Sequence, residues 1–197
     1  PYWGPGSPAW PDPSLALSEN MAQVYFGALP ILLILAVGTF AGRAWRRDIR
    51  FFALCGIALI IFALGRYTPL FPLIYNYLPG VDLFRRPSDA TYALGAMTAI
   101  VSGYLLHRLL ASDRVTKTHI VASASVLAAA LVASLAIAAS KGQLAFAIRP
   151  VVVSLLFFGG GGALLFAARR LDSAYGALAV AAFGAFVTFD LAANNGP

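Results

Sequence analysis

Two adjacent arginines, Arg85 and Arg86, sit in the segment VDLFRRPSDATY with Ser88 and Asp89, stiffened by Pro87. A guanidinium donates two parallel hydrogen bonds from a planar fork, which suits phosphate. The pair could therefore hold the monophosphate or diphosphate of a lipid headgroup. Two other readings use the same residues: an ion-pair set of Arg85 and Arg86 with Asp82 and Asp89, or plain contact with anionic lipid. Residue type and spacing leave all three open. Arg66 and Tyr67 open the same stretch and are secondary candidates. So is Asp190, because an ionisable residue at the edge of an apolar run is a functional candidate by default. A solvated or loop-capping role for Asp190 is expected at least equally.

No residue is assigned a catalytic role. The chain has no GxSxG elbow, no HExxH, no GxxxxGK[ST] and no GxGxxG following a strand, and no pair suited to general acid–base work. Cys55 is the single cysteine and lies inside an apolar run, where it reads as a small packing residue. His107 and His119 have no partner motif and read as interfacial. No cofactor is evident, and whether a divalent metal is needed is left open. The net charge of +6 does not point to nucleic acid, because the basic residues fall in short segments between apolar runs rather than in a stripe interleaved with aromatics.

The elements that must position these residues follow from composition. Of 197 residues, 60% are apolar and only 11% charged, and the mean hydropathy is +0.79. A soluble domain carries roughly 25% charged residues. The apolar residues come in blocks near the ~20 that a helix needs to cross ~30 Å of hydrocarbon. We therefore expect an all-α, polytopic transmembrane helix bundle of about six spans, near 22–42, 49–65, 91–110, 118–140, 147–168 and 172–191. Pro30 in the first is tolerable if neighbours satisfy the carbonyl it frees. The four glycines Gly159–Gly162 favour close helix packing over a ligand site, with a kink expected there. The chain opens on Pro1 with no secretory signal and closes on NNGP. It reads as one transmembrane domain, residues 1–197, of a longer protein whose remaining helices would be its partners.

Charge sets the expected orientation. Arg43, Arg46, Arg47, Arg50, Arg108, Arg114, Lys117, Arg169 and Arg170 fall on one side, and Arg66, Arg85, Arg86, Lys141 and Arg149 on the other. Cytoplasmic loops carry the Lys/Arg excess, so both chain ends and the 66–90 loop are expected outside the cytoplasm. Within that loop Thr68 and Pro69 read as N-cap and first helical residue. Leu70, Phe71, Ile74, Tyr75 and Leu78 then recur at helical spacing until Pro79-Gly80. This predicts a short amphipathic helix at the outer interface.

The order SEN–apolar span, then LGRYTPLFPLIYNYLPGVDLFRRPSDATY, then further spans resembles the bacterial YfhO-like membrane protein family. The likeness runs through residues 18 to 92, with weaker support from DLAANNGP at the end. That family is similar to the GT-C glycosyltransferases, which use a polyprenyl-phosphate sugar on the outer face of the membrane. The resemblance implies a bacterial inner-membrane protein that binds membrane lipid and a lipid-linked sugar donor, with Phe84, Arg85, Arg86 and Pro87 in the family's loop. It places the catalytic carboxylate upstream of Pro1. Where relatives carry a further basic residue after the proline, this chain has Ser88–Asp89–Ala90, which favours an Arg–Asp pair over a two-pronged phosphate clamp. The function expected is glycosyltransferase-like work in cell-envelope glycosylation. The alternatives are a transporter or flippase of a lipid-linked envelope precursor, or a non-catalytic membrane scaffold.

Overall fold

The computed structural model describes residues 25–65, 68–81, 89–111, 115–168, 170 and 176–195. Every regular element among them is helical: α1 (Ala28–Leu33), α2 (Arg50–Leu64), α3 (Phe71–Tyr77), α4 (Ala90–Leu110), α5 (Lys117–Ser140), α6 (Leu144–Ala168) and α7 (Gly176–Asn195). Helix α1 runs on into a π-helical segment, Ile34–Phe40, and a single 3₁₀ turn at Arg43–Trp45 leads toward α2. Four helices, α4 to α7, are long and apolar enough to cross a membrane, whereas Ala28–Phe40 and Arg50–Leu64 are shorter.

Burial is inverted relative to a soluble bundle. On α5 the one buried residue is Ser123, while Val121 and Ile137 are more than 60% exposed. On α7 the carboxylate of Asp190 is fully buried and its neighbour Phe189 is 67% exposed. Helix α2 turns Phe51, Leu54, Ile57, Ile60 and Leu64 outward. In water such apolar surface would be an interaction patch on every side. A hydrocarbon solvent removes the conflict, since helices apolar all round are those that sit in membranes. The four long apolar helices point to membrane association.

Packing order follows from residue pairs. Gly56 of α2 meets Leu94 and Met97 of α4, and Tyr104 donates to Asp48 at 3.2 Å, so α2 and α4 run antiparallel. Phe157 and Gly160 of α6 meet Phe189 and Phe186 of α7, again antiparallel. The core centres on Leu29, Leu33 and Val37 against Val101, Leu105 and Leu109 of α4, closed by Ala179 and Phe183 of α7. Gly38 lets the π-helical segment approach α4: a Cβ there would lie 3.0 Å from Leu105 Cδ1. As a result the described helix ends near residues 43–50, 108–111, 115–117, 168 and 176 gather at one end of the bundle, where Arg43, Arg46, Arg47, Arg50, Arg108 and Arg170 lie. Residues 25–28, 65, 89 and 190–195 gather at the other.

Several expected boundaries move. Helix α1 begins at Ala28, after Gly27 at φ 95 and ψ 148, a region essentially closed to other residues; the expected start near residue 22 lies outside the described residues. Pro30 therefore lies in the first turn, where an N–H has no intrahelical acceptor anyway. No carbonyl is freed and no neighbour is needed to rescue one. The short helix α3 starts at Phe71, with Leu70 as N-cap. Thr68 does not cap it; its hydroxyl donates to Gly65 O at 3.0 Å, as does its backbone N–H at the same distance. Gly80, at φ 85, follows the helix end as expected. Helix α6 begins at Leu144 rather than near residue 147 and contains Pro150; Arg149 is exposed on it.

The tetraglycine sits inside α6, which remains one helix through it. Its four members divide by face. Added Cβ atoms at Gly160 and Gly161 would meet Phe186 at 3.2 and 3.4 Å, and at Gly161 also Leu32 at 3.3 Å. At Gly159 and Gly162 they would meet nothing within 4 Å. Packing accounts for two of the glycines only.

Candidate functional site

The only carboxylate among the described residues with no exposed surface is Asp190, in the last turns of α7. Three donors converge on it. Tyr25 Oη donates to Oδ1 at 2.8 Å, and the backbone N–H of Ala28 donates to Oδ2 at 2.7 Å. Asn194, one turn further along α7, donates to Oδ1 at 2.9 Å and to the Asp190 carbonyl at 3.0 Å. An ionised carboxyl only accepts, and all its neighbours here donate. The helix N-terminus adds its positive end, where a negative group is favoured.

The local sequence explains the geometry. Helix α1 has no side-chain cap of its own, since its N-cap is Gly27. Asp190 supplies the missing acceptor across the bundle. Gly27 makes room for it: a Cβ there would be 3.3 Å from Asp190 Oδ2 and 3.3 Å from Pro30 Cδ. Fully engaged and closed to solvent, this carboxylate is a positioning group and not a free acid or base. The solvated role expected for Asp190 does not hold, whereas a capping role does, on α1 rather than on a loop.

Beside the clasp lies a cleft of about 610 Å³ between α4 and α7, floored by α1. Tyr25, Phe26 and Leu29 line the floor, Gly95, Thr98, Ser102 and Leu106 one wall, and Val180, Phe183, Val187 and Leu191 the other. The volume is that of an ordinary ligand pocket, but polar groups are few. Ser102 spends its hydroxyl on the Ala99 carbonyl at 3.2 Å, and Tyr25 spends its own on Asp190. What such walls can take is hydrocarbon.

Of the residues singled out from sequence, Arg66, Tyr67, Arg85, Arg86 and Ser88 lie outside the described residues. Asp89 is exposed at the N-cap of α4 and makes no side-chain bond to that helix's N–H groups. The first turns of α4 carry Gly95 into the cleft wall. Tyr25, Gly27 and Asn194 were not singled out from sequence. Only Asn194 left a local signal, standing four residues after Asp190, where helical side chains meet. Among the described residues no group of three or more His, Cys, Asp or Glu could hold a metal ion. No family model, no curated protein and no solved structure matches the chain.

Proposed function

We propose that this chain works in a membrane glycosyltransferase-like protein that takes a lipid-linked phosphosugar for cell-envelope glycosylation. In this reading the four long helices and the shorter pair, Ala28–Phe40 and Arg50–Leu64, make six crossings of a bacterial inner membrane. Both ends and the 66–90 segment face away from the cytoplasm, with α3 lying along the outer interface. The likeness of residues 18–92 to YfhO-like proteins supplies the chemistry.

The observation that carries the reading is the apolar cleft between α4 and α7. It is suited to the hydrocarbon part of an amphiphile, and in the sequence Arg85 and Arg86 stand five and four residues before Ala90, where α4 begins. The chain of a polyprenyl phosphate would lie in the cleft, and the two guanidiniums would neutralise its phosphate. Preorganised charge of this kind contributes several kcal/mol where water is excluded. The Asp190 clasp holds the cleft floor and one wall in register.

The test reconstitutes the full-length protein, with the residues upstream of Pro1, in vesicles with a radiolabelled polyprenyl-phosphate sugar. Retention of the donor that falls about tenfold in Arg86→Ala, the loss of one charge-assisted contact, agrees with the reading. Donor retention and turnover unchanged by Arg86→Ala would remove that role. Label reaching an acceptor supports transfer, whereas intact lipid crossing the bilayer supports a flippase instead.

A further inference from the structure

We propose that a second cavity, the groove between α5 and α6, holds one acyl chain of an anionic phospholipid whose headgroup lies at the arginine-rich end of the bundle. This inference stands apart from the proposed function: it uses the opposite face of α1 and none of the cleft residues.

The groove has a volume of about 420 Å³, with Leu32, Ala36 and Val37 as its floor. Its walls are helical ladders, Ile120 to Leu131 on α5 and Leu155 to Phe166 on α6. Each ladder is about 16 Å long at ~1.5 Å per residue, close to half of the ~30 Å hydrocarbon core and so to one leaflet. The walls offer a ligand almost no polarity. Ser123 is the one polar side chain lining the groove, and its hydroxyl donates to the His119 carbonyl at 2.7 Å. Gly159 and Gly162 line it with no atom within 4 Å of where a Cβ would stand. The sequence thus keeps this face of α6 bare where nothing packs against it.

One end of the groove is charged. Phe166 lines it, and the Arg170 guanidinium stands over that ring, 4.2 Å from its centroid. Lys117, exposed, opens α5 one turn before the lining residue Ile120. Among the described residues the one carboxylate at this end is Asp48, which accepts from Tyr104. A hydrocarbon slot one leaflet long, ending at the two cations Lys117 and Arg170, matches a phospholipid with a negative headgroup.

The experiment reconstitutes the full chain in lipid nanodiscs with spin-labelled phosphatidylglycerol or phosphatidylcholine at equal mole fraction. The immobilised fraction is read by electron paramagnetic resonance. We expect phosphatidylglycerol to be preferred, and the preference to fall about fivefold for each of Lys117→Gln and Arg170→Gln, the effect of one cation near a membrane surface. Gly162→Leu, which fills open space, should abolish the immobilised component for both lipids. Equal retention of the two lipids overturns the proposal. So does retention untouched by Gly162→Leu, which would mean lipid held by surface charge alone. A change of oligomeric state in Gly162→Leu, seen in detergent by light scattering, would instead identify a helix of a second copy as the occupant. If Gly162→Leu fails to fold by circular dichroism, the two surface substitutions still decide, since an unchanged preference in both removes the headgroup site.

Discussion

Helix α1 is a partition between two cavities that differ in kind. One face, Leu29, Pro30 and Leu33, floors the cleft toward α4 and α7. The other, Leu32 with Ala36 and Val37 beyond it, floors the groove toward α5 and α6. The cleft ends at a buried carboxylate with three donors. The groove has no such polar anchor in its walls and is shaped by bare glycines. In lipid, apolar burial gives little drive for one helix to choose another, so packing and hydrogen bonds must specify contacts. The cleft is specified by hydrogen bonds and the groove by packing. Damage should therefore be sharp on one side of α1 and graded on the other.

Asp190→Ala should give the largest effect. It removes the carboxylate that accepts from the Ala28 N–H, the Tyr25 hydroxyl and the Asn194 amide. At ~1–3 kcal/mol for each buried unsatisfied group, we expect a loss of about 3 kcal/mol or more. The measurement is unfolding by titration with dodecyl sulfate, followed by circular dichroism. Asp190→Asn keeps the shape and one accepting oxygen, so it should lose less. Equal stability of Asp190→Ala and the parent would show that the clasp holds nothing, and the contrast between the two faces would collapse.

Gly27→Ala comes next. The residue sits at φ 95 and ψ 148, which costs an L side chain ~1–3 kcal/mol, and its new methyl would press on Asp190 Oδ2 at 3.3 Å. We expect a loss of about 2 kcal/mol, on the scale of that strain, in the same titration. Combined with Asp190→Ala the two losses should not add, since they act on one contact. Strict additivity would separate the glycine from the clasp.

How much of this was legible in the sequence depends on range. The apolar run at 118–140 corresponds to Lys117–Ser140 and that at 91–110 to Ala90–Leu110, because hydropathy and length are local properties. The start of α1 was not legible. Tyr25 to Gly27 fall in the same apolar run as the helix that follows, and what starts the helix is the Gly27 conformation beside an Ala28 N–H bonded to a residue 162 positions further on. Asp190 was visible as an ionisable residue beside an apolar run, but burial and partners are decided by which helices meet. Thr68-Pro69 reads as a helix start, yet the Thr68 hydroxyl turns back to Gly65, a choice that both conformations allow from sequence. The Arg85–Arg86 pair lies outside the described residues, so its reading still rests on residue chemistry.

The tetraglycine gives the smallest effect and separates the two faces most directly, because it compares neighbouring residues of one helix. Replacing glycine by alanine inside a helix gains up to ~1 kcal/mol when space allows. At Gly162 nothing lies within 4 Å of the new methyl, so Gly162→Ala should be stabilising by about 0.5–1 kcal/mol. At Gly161 the methyl would meet Leu32 at 3.3 Å and Phe186 at 3.4 Å. Those are ends of side chains, which can give a few tenths of an ångström, but the repacking offsets the helix gain and Gly161→Ala should be neutral or slightly destabilising. The difference in sign is the test, read as paired shifts in the dodecyl sulfate midpoint. Equal gains at both positions would mean that α6 meets α1 and α7 loosely, and the distinction between a packed and an open glycine face would go. A gain at Gly162 alone would show that the open face is kept at a cost to stability, as expected of a groove that something else occupies.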